Sequence, residues 1–310
     1  MFIRTLFPDL FLQSMLPAID EVVMTKYSRF PDEFVDVFRM ESSSRSIEQT
    51  TEVTGFGQFA LVPEGDTTRY DEALPGFNKT YIHAQYSLGF KVSKVAMDDD
   101  KFGVVRKLAT ELGRSAKETK EVTAANVFNT GFSYDTGVVN GPDGQPLFSA
   151  SHPLIGGGVQ TNKLSYATDP DVTSIQLALT DMRQTVDHRG KRLRIPTKKA
   201  IFPPALEFIG AELLGGSDRA DTANRTINAF RRRSGMPSFD SWMVWDYLTD
   251  PHAWFLEGEK SDTELRFYER EAFNTVHDID FDSRSVKTAG WMRFSVGYNG
   301  FYGIYGVGSQ

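Results

Sequence analysis

The 310-residue chain has no cysteine, which excludes a disulfide framework, a thiolate metal site and a thiol nucleophile and leaves stability to packing and subunit contacts. Histidine is scarce. The five residues, at 83, 152, 188, 252 and 277, include no H-x-x-x-H or H-E-x-x-H spacing of the kind that binds zinc. No apolar run reaches the roughly eighteen residues needed to cross a bilayer. The apolar start, Met1 to Asp20, is interrupted by Pro8, Asp9 and Pro17 and lacks a small-residue cleavage site, so it does not read as a signal peptide. Positive charge is in deficit, with 34 Lys and Arg against 41 Asp and Glu. A net-acidic chain is a poor clamp for nucleic acid, whose phosphates need clustered cations. The one dense basic patch, Arg231 to Arg233, is short and reads as a solvated helix or loop end. Repeats of 20 to 50 residues, low-complexity tracts and an obvious linker are also missing.

What is present is ordinary globular composition, 40% hydrophobic and 24% charged, enough for one large or two modest cores. Residues 9–27 carry helical spacing in Leu12, Met15, Leu16, Ile19, Val22 and Val23, with Pro17 expected to bend or split the helix. Alternation over 34–59 suits strands exposed on one face, an irregular span follows from Pro63 to Phe77, and Thr80–Met97 resumes strand chemistry. Together they describe a long hairpin-like excursion. From Asp98 to Thr130 the pattern is helical, with Asp98, Asp99 and Asp100 at the positive end of the helix dipole and Gly131 placed to stop it. Val105, Leu108, Ala109, Leu112 and Ala116 mark one face, and the polar centre, Gly113 to Glu121, predicts a helix lying across a surface.

A turn-rich loop from Asp135 to Ser165 leads to a second helix over 170–190, then to a strand, a Pro203-Pro204 lead-in and a helix ending at Gly215. Residues 221–230 read as a helix start followed by an exposed loop. The last ninety or so residues alternate turns with aromatic strands and hold all four tryptophans. The expectation is an α+β architecture with interleaved subdomains.

Chemistry is harder to find. Ser151 and His152 stand side by side, but neighbouring side chains in an extended segment point to opposite sides, and the flanks lack the G-x-S-x-G nucleophile elbow. His152, held extended by Pro153, reads as an ordered loop residue. The acidic triplet lacks calcium-loop spacing, and Gly156 to Gly158 lacks the Lys and Ser/Thr of a phosphate loop. The C-terminal aromatics read as sheet core. The residues therefore assign no catalytic, cofactor-binding or metal site.

Four stretches carry a family resemblance: DGQPLFSASHPL at 143–154, DTANRTINAF at 221–230, DYLTDPHAWFL at 246–256 and DFDSRSVKTAGWMRFSVGY at 280–298. With the order of elements, they make the chain resemble the major capsid proteins of tailed bacteriophages, in the Mu-like major head subunit family. The resemblance implies the Hong Kong bacteriophage type capsid fold. Its parts would be an N-terminal arm (1–50), an extended loop (51–97), a peripheral domain (98–194) with spine helix 98–130, an axial domain (195–285) and a returning strand (286–310). It also implies assembly in the bacterial host cytoplasm into pentamers and hexamers, forming a virion shell that encloses double-stranded DNA without reading its sequence. Portal, scaffolding and decoration proteins would be further partners, with no cofactor and no membrane.

Phe56, Phe59, Tyr70, Phe77, Arg231 and Arg232 are the candidate intersubunit anchors. No long charged N-terminal helical segment of the removable scaffolding kind is evident, so no cleavage is expected. A relative of the same fold forms Lys-Asn crosslinks, and Lys79 beside Asn78 is the nearest counterpart here. The alternatives are an encapsulin-like shell around an enzyme cargo, a hydrolase using Ser151 and His152, and a tail or adhesion protein, for which the expected repeated β units are not visible.

Overall fold

The computed structural model describes residues 7–93, 95, 96, 99, 103–134, 141–215, 230, 241–280, 282 and 285–308. Helix α1 (Phe7–Arg29) runs through Pro17 as a single helix. The expected split is not made: the proline forgoes one backbone hydrogen bond, while Ile19 and Val23 are buried in the main core and hold the later turns. A short helix α2 (Phe34–Val37) and strands β1 (Arg39–Ser42) and β2 (Ile47–Val53) follow. Beyond β2 the chain has no regular structure until β3 (Pro75–Ile82), so the alternation read through Phe59 does not form a strand past Val53. β4 (Ala84–Ser93) continues almost in line with β3 but changes partner, from β2 to the main sheet.

The long helix α3 spans Val104–Asn129 and starts after Gly103, whose φ of 64° suits glycine. It does not start at the acidic triplet. Asp98 and Asp100 lie outside the described residues, and Asp99 donates its amide to the Val95 carbonyl. The polar centre is the larger correction, because Gly113, Lys117, Lys120 and Glu121 are buried. A β-carbon on Gly113 would lie 2.5 Å from the Val23 carbonyl oxygen, so the glycine lets α1 cross α3 at close range.

After a small antiparallel pair, β5 (His152–Pro153) and β6 (Val159–Gln160), two sheets organise the remainder. One has the order β1-β10-β11-β4, with β10 (Leu265–Asp280) and β11 (Ser285–Tyr298) forming a long antiparallel hairpin and β1 parallel to β10. The other has the order β12-β9-β7-β8, from β12 (Ile304–Val307), β9 (Trp254–Glu257), β7 (Lys199–Phe202) and β8 (Ser241–Val244). Helix α4 (Val172–Gln184) begins with a reciprocal cap between Asp171 and Ser174. It contributes Ile175, Ala178, Leu179 and Met182 to a core shared with the second sheet.

The larger core joins α1, α3 and the first sheet, and continues into an aromatic cluster of Phe128, Phe132, Phe148 and Phe255. Phe148 is 4.9 Å from Phe132 and 5.0 Å from Phe255, ring centre to ring centre. Of the four tryptophans, Trp245 and Trp254 are fully buried, as expected of sheet core. The strand, the proline lead-in and the helical turns to Gly215 follow the sequence reading. No described helix is long and apolar enough to cross a membrane.

Candidate assembly surfaces and buried polar sites

His152 has no solvent exposure, and its ring stacks on Phe301 at 4.0 Å. Its Nδ1 lies 2.6 Å from Asp143 Oδ2, and its Nε2 lies 3.1 Å from Asn162 Oδ1. Asn162 is itself fixed: its Nδ2 donates to the Leu147 carbonyl, and its Oδ1 accepts from the Ser149 amide. Both imidazole nitrogens therefore face oxygen acceptors inside the protein. The Ser151 side chain is exposed, its amide donates to Ser149 Oγ, and Ser149 Oγ donates to Gln145 Oε1. This arrangement ties a loop and supplies neither an activated hydroxyl nor a free base. Among the described residues, no group of three His, Cys, Asp or Glu is arranged to hold a metal ion.

A second buried polar cluster lies midway along α3. Glu121 accepts from the Glu33 amide at 2.6 Å, the Phe34 amide at 3.2 Å and Trp245 Nε1 at 3.2 Å. One carboxylate thus joins the end of the arm, the long helix and the segment after β8. Burial pushes the Glu121 carboxyl up to about 7 against these hydrogen bonds. Lys117 pairs with Asp32, and Lys120 with Glu269 at 2.5 Å. Both ammonium groups also lie over the Tyr27 ring. The polar centre of the helix is a socket for residues 27–34. A legible signal existed: Gly113, Lys117, Lys120 and Ala124 recur at helical spacing, on the buried side.

The exposed extreme of the molecule is the loop between β2 and β3. Every residue from Gly55 to Leu74 is exposed, although the stretch includes Phe56, Phe59, Leu61 and Tyr70. Phe59 and Tyr70 are 108% and 94% exposed, so nothing among the described residues covers them. Phe77 differs, being partly buried edge-on to His188 at 5.7 Å. Arg231 and Arg232 lie outside the described residues. Asn78 and Lys79 are neighbours on β3 and point to opposite faces; Asn78 is exposed, whereas Lys79 reaches 5.8 Å from the centre of the Tyr298 ring. Burial pushes the Lys79 amine below its ordinary value.

The twenty-residue loop thus exposes Phe56, Phe59, Leu61 and Tyr70 while polar contacts from Arg189 and Lys191 tie it to the body. The family model for phage capsid protein matches residues 78–307.

The chain belongs to the phage capsid protein family.

That match takes in most of β3, α3, the second sheet and the first sheet apart from β1, and starts after α1, α2, β1 and β2. As a phage capsid protein, the subunit is a component of the virion shell and acts in many copies. The fold agrees across large sequence distances. A chain from Microbacterium phage Oxtober96 is 11% identical with a TM-score of 0.56, over 91% of this chain and 92% of that one. A chain from the capsid of Ralstonia phage GP4 is 12% identical with a TM-score of 0.56, over 88% and 87%. This is the Hong Kong type capsid fold expected from the resemblance. A virus-like particle from Pyrococcus furiosus shares it at 8% identity and a TM-score of 0.52, over 93% and 97%. The fold alone therefore does not separate a phage head from other protein shells; the family match does. No curated protein sequence matches this capsid protein.

Proposed function

We propose that this capsid protein is the major head subunit of a tailed phage, assembling into pentamers and hexamers that close an icosahedral shell around double-stranded DNA. The observation that carries the reading is the family match over 78–307, combined with a loop on which Phe59 and Tyr70 stand almost fully exposed. Subunits joined through unlike surfaces close into rings, and many modest contacts sum to a durable container. Phe56, Phe59 and Tyr70 are the loop anchors on this reading, with Phe77 at the loop base and Arg231 and Arg232 contributing elsewhere. The net charge of −7 suits a container that must not trap its DNA.

The division into arm (1–50), extended loop (51–97), peripheral domain (98–194), axial domain (195–285) and returning strand (286–310) belongs to the same proposal, with α3 as the spine helix. Portal, scaffolding and decoration proteins are the further partners, assembly takes place in the host cytoplasm, and the subunit does no enzymatic work. An encapsulin-like compartment is the second reading, supported by the Pyrococcus furiosus particle's fold. Negative-stain microscopy with light scattering on the purified protein tests the proposal: hollow shells, tubes or five- and six-membered rings are expected. A compact monomer at every concentration and salt would overturn it, and a shell filled with a co-purifying enzyme instead of competent for DNA would favour the second reading.

A further inference from the structure

We infer that the turn Asp187–Lys191 is a clasp that sets the direction of the extended loop before subunits meet, with Arg189 as its positioning residue. The clasp itself stands on geometry within one subunit; its consequence for assembly rests on the shell reading above.

The turn is rigid. The Asp187 carboxylate accepts from the amides of Arg189 at 2.9 Å and Lys191 at 2.8 Å, and Gly190, with φ of 78°, donates to the Asp187 carbonyl. From behind, the Gly156 amide donates to the His188 carbonyl at 2.8 Å. A β-carbon on Gly156 would lie 2.4 Å from that same oxygen, so only glycine allows the approach.

From this base three side chains reach the loop. Arg189 Nη1 donates to Asp71 Oδ2 at 2.6 Å and its Nη2 to the Glu72 carbonyl, and Asp71 Oδ2 also accepts from the Gly57 amide at 2.7 Å. Lys191 Nζ donates to the Phe56 carbonyl at 3.1 Å. His188 Nδ1 accepts from the Ile155 amide at 3.3 Å, its Nε2 lies 2.9 Å from Glu52 Oε2 without the alignment of a hydrogen bond, and its ring meets Phe77. The outgoing and returning limbs of the loop are thus held by one turn. The Arg189 hydrogen bond, reinforced by the Gly57 amide, holds the Asp71 carboxyl below its ordinary value.

Beneath the clasp the loop is not packed on the body. A cleft of about 680 Å³, lined by Thr50, Glu52, Thr54, Lys191, Arg266 and Tyr302 among others, separates the loop base from β10 and the β11–β12 turn. With that open space beneath it, the loop base has the Phe77–His188 ring contact and the polar bonds of the clasp to fix its angle. Asp71 is itself well exposed, and exposed ion pairs add little stability. Loss of Arg189 should accordingly free the loop without unfolding the subunit.

Hydrogen exchange by mass spectrometry on the unassembled full-length subunit decides the point. Arg189→Ala should speed exchange at Gly57 and its neighbours by about tenfold, with an unchanged melting temperature. Arg189→Lys, which keeps a cation facing Asp71 and leaves the acceptor of the Gly57 amide in place, should retain part of the protection, and Lys191→Met should give a smaller acceleration. Unaltered exchange in Arg189→Ala would overturn the clasp. The assembly consequence is read separately by microscopy: Arg189→Ala should lower the yield of closed particles at least fivefold, with a smaller loss in Arg189→Lys. Faster exchange with normal particle yield would overturn the role in assembly, and failure of the unsubstituted protein to form particles would overturn the shell reading while the exchange result still judged the clasp.

Discussion

His152 and Asp143 stand nine residues apart in sequence and 2.6 Å apart in space, both closed off from solvent. Removing one member of a buried, hydrogen-bonded pair strands the other, which costs about 3–5 kcal/mol. His152→Ala also removes the ring stacked on Phe301. A loss of about 3 kcal/mol is expected in denaturant unfolding of the unassembled subunit, while Ser151→Ala, at an exposed position, should stay within about 0.5 kcal/mol. Equal effects of the two substitutions would remove the structural role assigned to His152.

Gly113→Ala sets local propensity against packing. In an exposed helix interior alanine is favoured over glycine by about 1 kcal/mol. Here the new carbon would sit 2.5 Å from the Val23 carbonyl, so the two helices must separate. We expect destabilisation on the order of 2 kcal/mol, seen as a lower melting temperature. A stabilised variant would show that the α1–α3 crossing is looser than described.

How much of this was legible beforehand depends on where the deciding contact lies along the chain. The strand and proline lead-in at 199–204 and the short aromatic strands at 254–257 and 304–307 follow from local pattern, because each is a short, largely apolar run buried almost throughout. The burial of Lys117, Lys120 and Glu121 was missed because charge normally marks an exposed face. Their partners, Asp32, Glu269 and the amides of Glu33 and Phe34, lie 85 to 149 residues away. Likewise His152 is extended before Pro153, as its position implies, but it lies in a short strand paired with Gln160 instead of a loop, and nothing local names Asn162 or Phe301 as its neighbours. The clasp at Arg189 was invisible for the same reason, since its grip on Asp71 spans 118 residues.

Glu121 gives the stability curve a predictable slope. Its folded-state carboxyl is raised from 4.5 to about 7 by burial, so the folded form holds the proton more tightly than the unfolded chain. The associated stability is fully present below 4.5 and is lost as pH rises through about 7. Glu257, also raised by burial with its lysine neighbours opposing, acts with the same sign. Between about pH 5.5 and 8.5 the natural subunit should lose on the order of 2 kcal/mol relative to Glu121→Gln. Parallel unfolding curves for the two proteins across that range would contradict the assignment.

Phe59 and Phe77 belong to one loop but should fail in different assays. Nothing among the described residues covers Phe59, so Phe59→Ser should leave unfolding within about 0.5 kcal/mol of the natural protein. The same holds for Tyr70→Ser. Phe77 packs edge-on against His188, and Phe77→Ala should cost about 1–2 kcal/mol in the isolated subunit. If the loop tip meets neighbouring subunits, Phe59→Ser and Tyr70→Ser should instead reduce particle yield by about tenfold or more, since buried aromatic anchors carry at least about 2 kcal/mol at a contact. Normal particles from the double variant would remove both residues from the interface, leaving the loop's backbone and Phe56 as its remaining means of contact.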